Sequence, residues 1–249
     1  MPNKSKKNKS EHKFNQDDIL NILNAIYDKA CDGISHVSKP IEEFAEDYIS
    51  KNQDIEKAIK SMLNNQVAKC TTSGFITGFG GVITLPVSIP ANLSSVLYVQ
   101  MRMIACTAYM AGYDLSSDQV QTFVYACLAG VSVNEVFKKF GIAAGTKFTT
   151  AAVNKIPGKV LVAINQKVGF RFLTKWGEKG LINIGKLIPV VGAVINGSLD
   201  LVETKIIANR AYKMFIKGDL SMKADKNEDI IDVEIIDIDN IEIIDDVNE

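Results

Sequence analysis

Apolar residues recur at helical spacing along most of this chain. After a polar start, Ile19, Leu20, Ile22, Leu23, Ile26, Tyr27 and Ala30 fall on one helical face, with acids and amides between them. Asn15 to Asp18 supply a cap and first-turn acids, and Gly33 closes the element. Pro40 opens a second helix that turns Ile41, Phe44, Ala45, Tyr48 and Ile49 to one side. A third spans Asp54 to Lys69, with Ile55, Ile59, Met62, Leu63 and Val67 inward. All three are polar on the opposite face, as helices of a water-facing bundle are.

The pattern then changes. From Cys70 to Met101 there are 32 residues without a charge, punctuated by Gly74, Gly78, Gly80, Gly81, Pro86 and Pro90. One helix of that length would run about 48 Å, against about 30 Å for a hydrocarbon core. The glycines and prolines argue against a single continuous helix. The stretch predicts a re-entrant apolar hairpin, an interfacial patch or a buried loop, leading into a helix from about Asn92 to Met110 that Gly112 ends. Ser116 with Gln119 reads as a capping box for the next helix, continuing through Val136 and Phe137 toward Gly141. Pro157 opens another through Trp176, and a last long helix starts near Pro189 and stops at Gly218. No period-2 strand pattern occurs in the body. The expected fold class is all-α, a helical bundle with Gly/Pro-interrupted apolar segments.

Two segments match at an offset of 103 residues: Leu85–Val87 with Ile188–Val190, then Ile104, Ala105, Ala108 and Tyr109 with Ile207, Ala208, Ala211 and Tyr212. The match suggests an internal two-fold repeat of loop-plus-helix units, although small residues at helical spacing also recur by accident. Paired apolar units interrupted by Gly and Pro are a design of membrane proteins.

Charge divides the chain into three parts: a basic arm at 1–13 expected to be disordered, a helical domain at 14–218, and an acidic tail at 219–249. The net charge of −1 conceals a tail with eleven acids against two lysines from Ser221 onward, and five lysines against one glutamate up to Lys13. The body is left mildly basic, which suits an anionic membrane surface. In the tail, Ile230, Ile231, Val233, Ile235, Ile236 and Ile238 alternate with acids. β-Branched residues resist helix formation while like charges resist self-packing. The tail therefore reads as a solvated segment, as a strand added to a partner's sheet edge, or as a segment that docks on the basic body and inhibits it.

Little in the chain carries chemistry. His12 and His36 are the only histidines, and Cys31, Cys70, Cys106 and Cys127 show no metal-ligand spacing. The cysteines read as reduced thiols of a cytosolic protein, and the basic start is followed by no apolar run of a secretion signal. GFGG at Gly78 to Gly81 lacks the Lys-Ser/Thr of a phosphate loop. No metal, cofactor, catalytic set or nucleic-acid partner is expected. Arg102, Asp200 and Glu203 stand in apolar surroundings, where a lone charge is costly. They predict a buried ion pair across the two repeat helices, or, if all three converge in an open pocket, the acids of a hydrolase.

The stretch from GFITGFGGVITLPVSIPAN to Arg102 and GYD at Gly112, with LIPVVGAVINGSLDLVETKIIANRAYKMF, resembles the EcsC protein family over roughly Leu63 to Lys217. The resemblance implies an accessory, membrane-associated helical protein, since the family's namesake is encoded beside an ABC transporter. A peptidase or hydrolase role has been suggested for relatives, but this sequence supplies no matching catalytic set. The expectation is a cytoplasmic, non-enzymatic protein on the inner face of the cell membrane, accessory to a transporter or another membrane protein. Phe75, Ile76, Phe79, Val82, Ile83, Leu85, Pro86 and Pro90, with Ile188, Pro189, Val190 and Val191, are the expected lipid contacts. The alternatives are a hydrolase using Asp200, Glu203 and Arg102, and a soluble adaptor acting through its tail.

Overall fold

The computed structural model describes residues 15–69, 91–143, 149–176 and 193–222. Among these residues the protein is all helical: α1 (Gln16–Asp32), α2 (Ile41–Ile49), α3 (Ile55–Lys69), α4 (Ala91–Met110), α5 (Asp118–Ala129), α6 (Val133–Lys139), α7 (Thr150–Val153), α8 (Gly158–Trp176) and α9 (Ala193–Phe215). The expected all-α class is what is found.

Local chemistry places the ends of these helices. Asn15 and Asp18 exchange side-chain-to-backbone hydrogen bonds of 2.9 Å, a full capping box on α1. The Asp54 side chain accepts from Lys57 N at 2.8 Å ahead of α3. After α4, Gly112 takes φ 83° and the Tyr113 amide donates back to Ala108 O at 3.0 Å, satisfying carbonyls that the helix leaves open.

The helix expected to follow a cap at Ser116 and continue toward Gly141 is two. Gly130 adopts a left-handed conformation, and the Ser132 side chain then caps α6 by accepting from Glu135 N. The axes of α5 and α6 differ by 119°. The expected box at Ser116 and Gln119 is also different. Ser117 is the cap residue, without a side-chain cap bond, while Ser116 donates to Asp114. A serine can satisfy an Asx turn or a helix end, and here the turn takes it.

The core is built around α4. Leu97, Tyr98, Met101, Ile104, Ala105 and Ala108 of this helix are each at most 2% exposed, and α1, α2, α3, α5 and α9 all pack on it. Two contacts show that α4 and α9 run parallel. Gln100 Nε2 donates to Thr204 Oγ1 at 3.1 Å, and just beyond the C-terminal end of α4 Tyr113 stacks edge to face at 5.2 Å on Phe215, the last residue of α9. In both helices the residues matched by the candidate repeat, Ile104 with Ile207, Ala105 with Ala208 and Ala108 with Ala211, are buried.

Among the described residues no single helix is long and apolar enough to cross a membrane. The bent pair α5–α6 reaches that apolarity together, but Val120, Phe123, Val124, Tyr125, Ala126, Cys127 and Leu128 of α5 are buried. Core packing accounts for their character.

Candidate functional site

Arg102 is 1% exposed. Its Nη1 donates to Ala30 O at 2.9 Å and its Nη2 to Lys39 O, and its guanidinium lies 4.5 Å from the Phe44 ring centroid. Ala30 belongs to the last turn of α1, where carbonyls lack helical partners and the helix dipole is negative. A buried cation is thus offset by carbonyl dipoles and a ring face. The hydrogen bonds it makes among the described residues go to these two carbonyls. The Asp200 backbone lies in α9, but its side chain is outside the described residues.

The turn that grips Arg102 is itself tightly made. Ile34 N donates to Ser38 O and Ser38 N to Ile34 O, at 3.0 and 2.8 Å. Ser38 Oγ is hydrogen-bonded to Tyr98 Oη, one turn of α4 before Arg102. Tyr98 and Arg102, four residues apart, therefore hold the α1–α2 connection from one helical face.

The expected lipid-contacting residues, Phe75 to Pro90 and Ile188 to Val191, lie outside the described residues. The helices on either side of them are described. Residues 70–90 lead into the N-terminus of α4 and residues 177–192 into that of α9. Because α4 and α9 are parallel, the two helix N-termini that follow these segments in sequence lie at the same end of the bundle. The first turns of α3 meet the far end of α9, where Glu56 and Lys60 engage Tyr212. Running back along α4 and α9, α3 brings its C-terminal Lys69 to this end as well. Asn65, Gln66 and Lys69 of α3 and Ser94, Ser95 and Gln100 of α4, two helices that pack together, are all buried, an unusual number of polar groups for a core.

A groove of about 690 Å³ opens elsewhere, between α6 and α8. Helix α8 buries Val160, Leu161, Ile164, Val168 and Phe172. Its other face leaves Val162 56% and Phe170 61% exposed, and Phe140 at the end of α6 is 38% exposed. Lys139, Lys167 and Arg171 line the groove against one carboxylate, Glu135, which pairs with Lys167 at 3.3 Å. Lys159 Nζ lies 5.9 Å from the Phe140 ring centroid. The result is an apolar floor in a cationic frame. The sequence reading missed it, although Phe170 stands off the buried i, i+4 stripe of α8, and that was its one signal.

Burial raises the thiols of Cys31 and Cys127 to about 12, and a protonated thiol is a poor nucleophile. Burial likewise raises Tyr27, Tyr125 and Tyr113. No cluster of three or more His, Cys, Asp or Glu able to hold a metal occurs among the described residues. The tail positions Ile230, Ile231, Val233, Ile235, Ile236 and Ile238 lie outside them.

No curated protein and no solved structure matches this chain. The model of the EcsC protein family matches residues 8–217, most of the 249-residue sequence, and the chain belongs to that family.

Proposed function

We propose that this chain is a non-enzymatic helical protein that attaches to the inner face of the cell membrane and assists a transporter or another membrane protein. Its two Gly/Pro-interrupted apolar segments make the lipid contact, and its acidic tail recruits the partner. One observation carries the reading: parallel helices α4 and α9, which follow the two segments in sequence, have their N-termini at the same end of the bundle. Two apolar stretches delivered together can form one adhesive surface, where segments at opposite ends could not. The mildly basic body adds attraction to anionic lipid, on the order of 1 kcal/mol per cation near the surface. The matched, buried Ile104/Ile207 and Ala105/Ala208 pairs support a duplicated loop-plus-helix unit.

The reading is tested by membrane fractionation of cells producing the full chain. It expects the protein to stay in the pellet through high-salt and alkaline washes, since apolar contact survives both. A variant carrying Phe75→Glu, Phe79→Glu and Ile83→Glu is expected in the supernatant. Recovery of the unmodified chain in the supernatant overturns the proposal.

A further inference from the structure

We propose that the groove between α6 and α8 is the docking site of this chain's own acidic tail. The chain delivers its tail to that place. Leu220 is 2% exposed, and its carbonyl accepts a 3.2 Å hydrogen bond from Asn134 N in the first turn of α6. Glu135, the next residue, lines the groove. The described structure ends two residues after Leu220, at Met222, which packs on the core edge.

Chemistry matches on both sides. Residues 229–247 read DIIDVEIIDIDNIEIIDDV, eight acids and no base among branched apolar residues. The groove offers Phe140 and Phe170 to the isoleucines, and Lys139, Lys167 and Arg171 to the acids, with Lys159 beside the Phe140 ring. A bare apolar groove would suit many occupants. A cationic frame around it selects a strand that alternates acids with isoleucines.

The reach is sufficient. Eight residues from Met222 to Ile230 extend about 26 Å at roughly 3.3 Å each. The groove face of α8 from Ala163 to Thr174 is about 17 Å long. The first apolar cluster, Ile230 to Ile238, is long enough to cover it. A tethered segment also acts at an effective concentration on the order of 1 mM. A groove with an intrinsic Kd of about 0.1 mM would then be roughly nine-tenths occupied by the cis tail. This occupancy stands whether or not the chain binds lipid, and it places the tail under competition with any external partner.

The experiment compares two full-length chains with a fluorescent peptide of residues 229–247 added in trans. In the second chain Ile230, Ile231, Val233, Ile235, Ile236 and Ile238 are replaced by Ser, which leaves the groove free. The expected result is about tenfold tighter peptide binding by the Ser variant, abolished by adding Phe170→Asp and weakened by salt. Phe170 is exposed, so circular dichroism is expected to stay unchanged in that variant. Equal peptide binding by the two chains, or binding indifferent to Phe170→Asp, overturns the proposal. So does a concentration-dependent dimer of the natural chain that the Ser variant lacks, which would seat the tail on a second copy. Loss of anionic-vesicle binding in Phe170→Asp, with no peptide binding by either chain, would instead give the groove to lipid.

Discussion

Arg102 lies with its guanidinium 4.5 Å from the centroid of the Phe44 ring, and that stacking joins α4 to α2 through the middle of the core. The same guanidinium ties down α1 through Ala30 O and the following turn through Lys39 O. One side chain therefore fastens three successive elements to the central helix.

Arg102→Ala leaves the carbonyls of Ala30 (buried) and Lys39 (part-buried) without these donors and opens a cavity beside Phe44. A loss of about 3 kcal/mol is expected, from unmet acceptors at about 1–3 kcal/mol each and the void. Arg102→Lys keeps the charge but lacks the planar fork, and a loss of about 1–2 kcal/mol is expected. Denaturant titration reads both. Unfolding midpoints unchanged in both variants would show that the clamp contributes nothing.

Gly33 and Gly112 separate two sources of glycine dependence. Gly33 has φ 77° and ψ −178°, and an added Cβ would sit 2.5 Å from Ser38 O and 2.6 Å from Lys39 C. Those are backbone atoms of the turn that grips Arg102, so they cannot yield cheaply. Gly112 has φ 83° with nothing near its would-be Cβ. Gly112→Ala is expected to cost about 1–2 kcal/mol in backbone strain alone. Gly33→Ala is expected to cost more than twice as much and to expose Cys31 to alkylation. Equal thermal midpoints for the two variants would contradict this account.

Acid sensitivity has a source at Glu56. The hydrogen bond from the Tyr212 hydroxyl, then that from Lys60, lowers its carboxyl from an ordinary 4.5 to about 2. A depressed carboxyl stabilises the fold above its unfolded value and loses that contribution as pH falls through its folded value. The stability difference between the natural chain and Glu56→Gln should therefore shrink from about pH 4.5 down to about pH 2. The site is exposed, so the effect is expected to be small and salt-sensitive. Tyr212→Phe should shift the window upward. A pH-independent difference between the natural chain and Glu56→Gln would remove Glu56 as the titrating group.

Helix spacing, caps and C-terminal glycines were legible from residue order alone, because they depend on neighbours within a turn or two of chain. Asn15 with Asp18 capped α1 as read, and Ile22, Leu23, Ile26, Tyr27 and Ala30 turned inward as read. The all-α class followed from the same local rule. The break at Gly130 was local too, but a glycine inside an apolar run is compatible with either a bent or a continuous helix. Packing of α5 in the core and of α6 against α8 decided it.

Only the tertiary structure could decide the partners of Arg102. Its charge demanded compensation, and among the described residues the fold supplies carbonyls from residues 72 and 63 positions away. Backbone carbonyls carry no sequence signature, so nothing in residue identity could have named them. The cationic groove was hidden for the same reason. Which face of α8 stays open depends on how many neighbours reach it, and that is a property of the assembled bundle rather than of any helix within it.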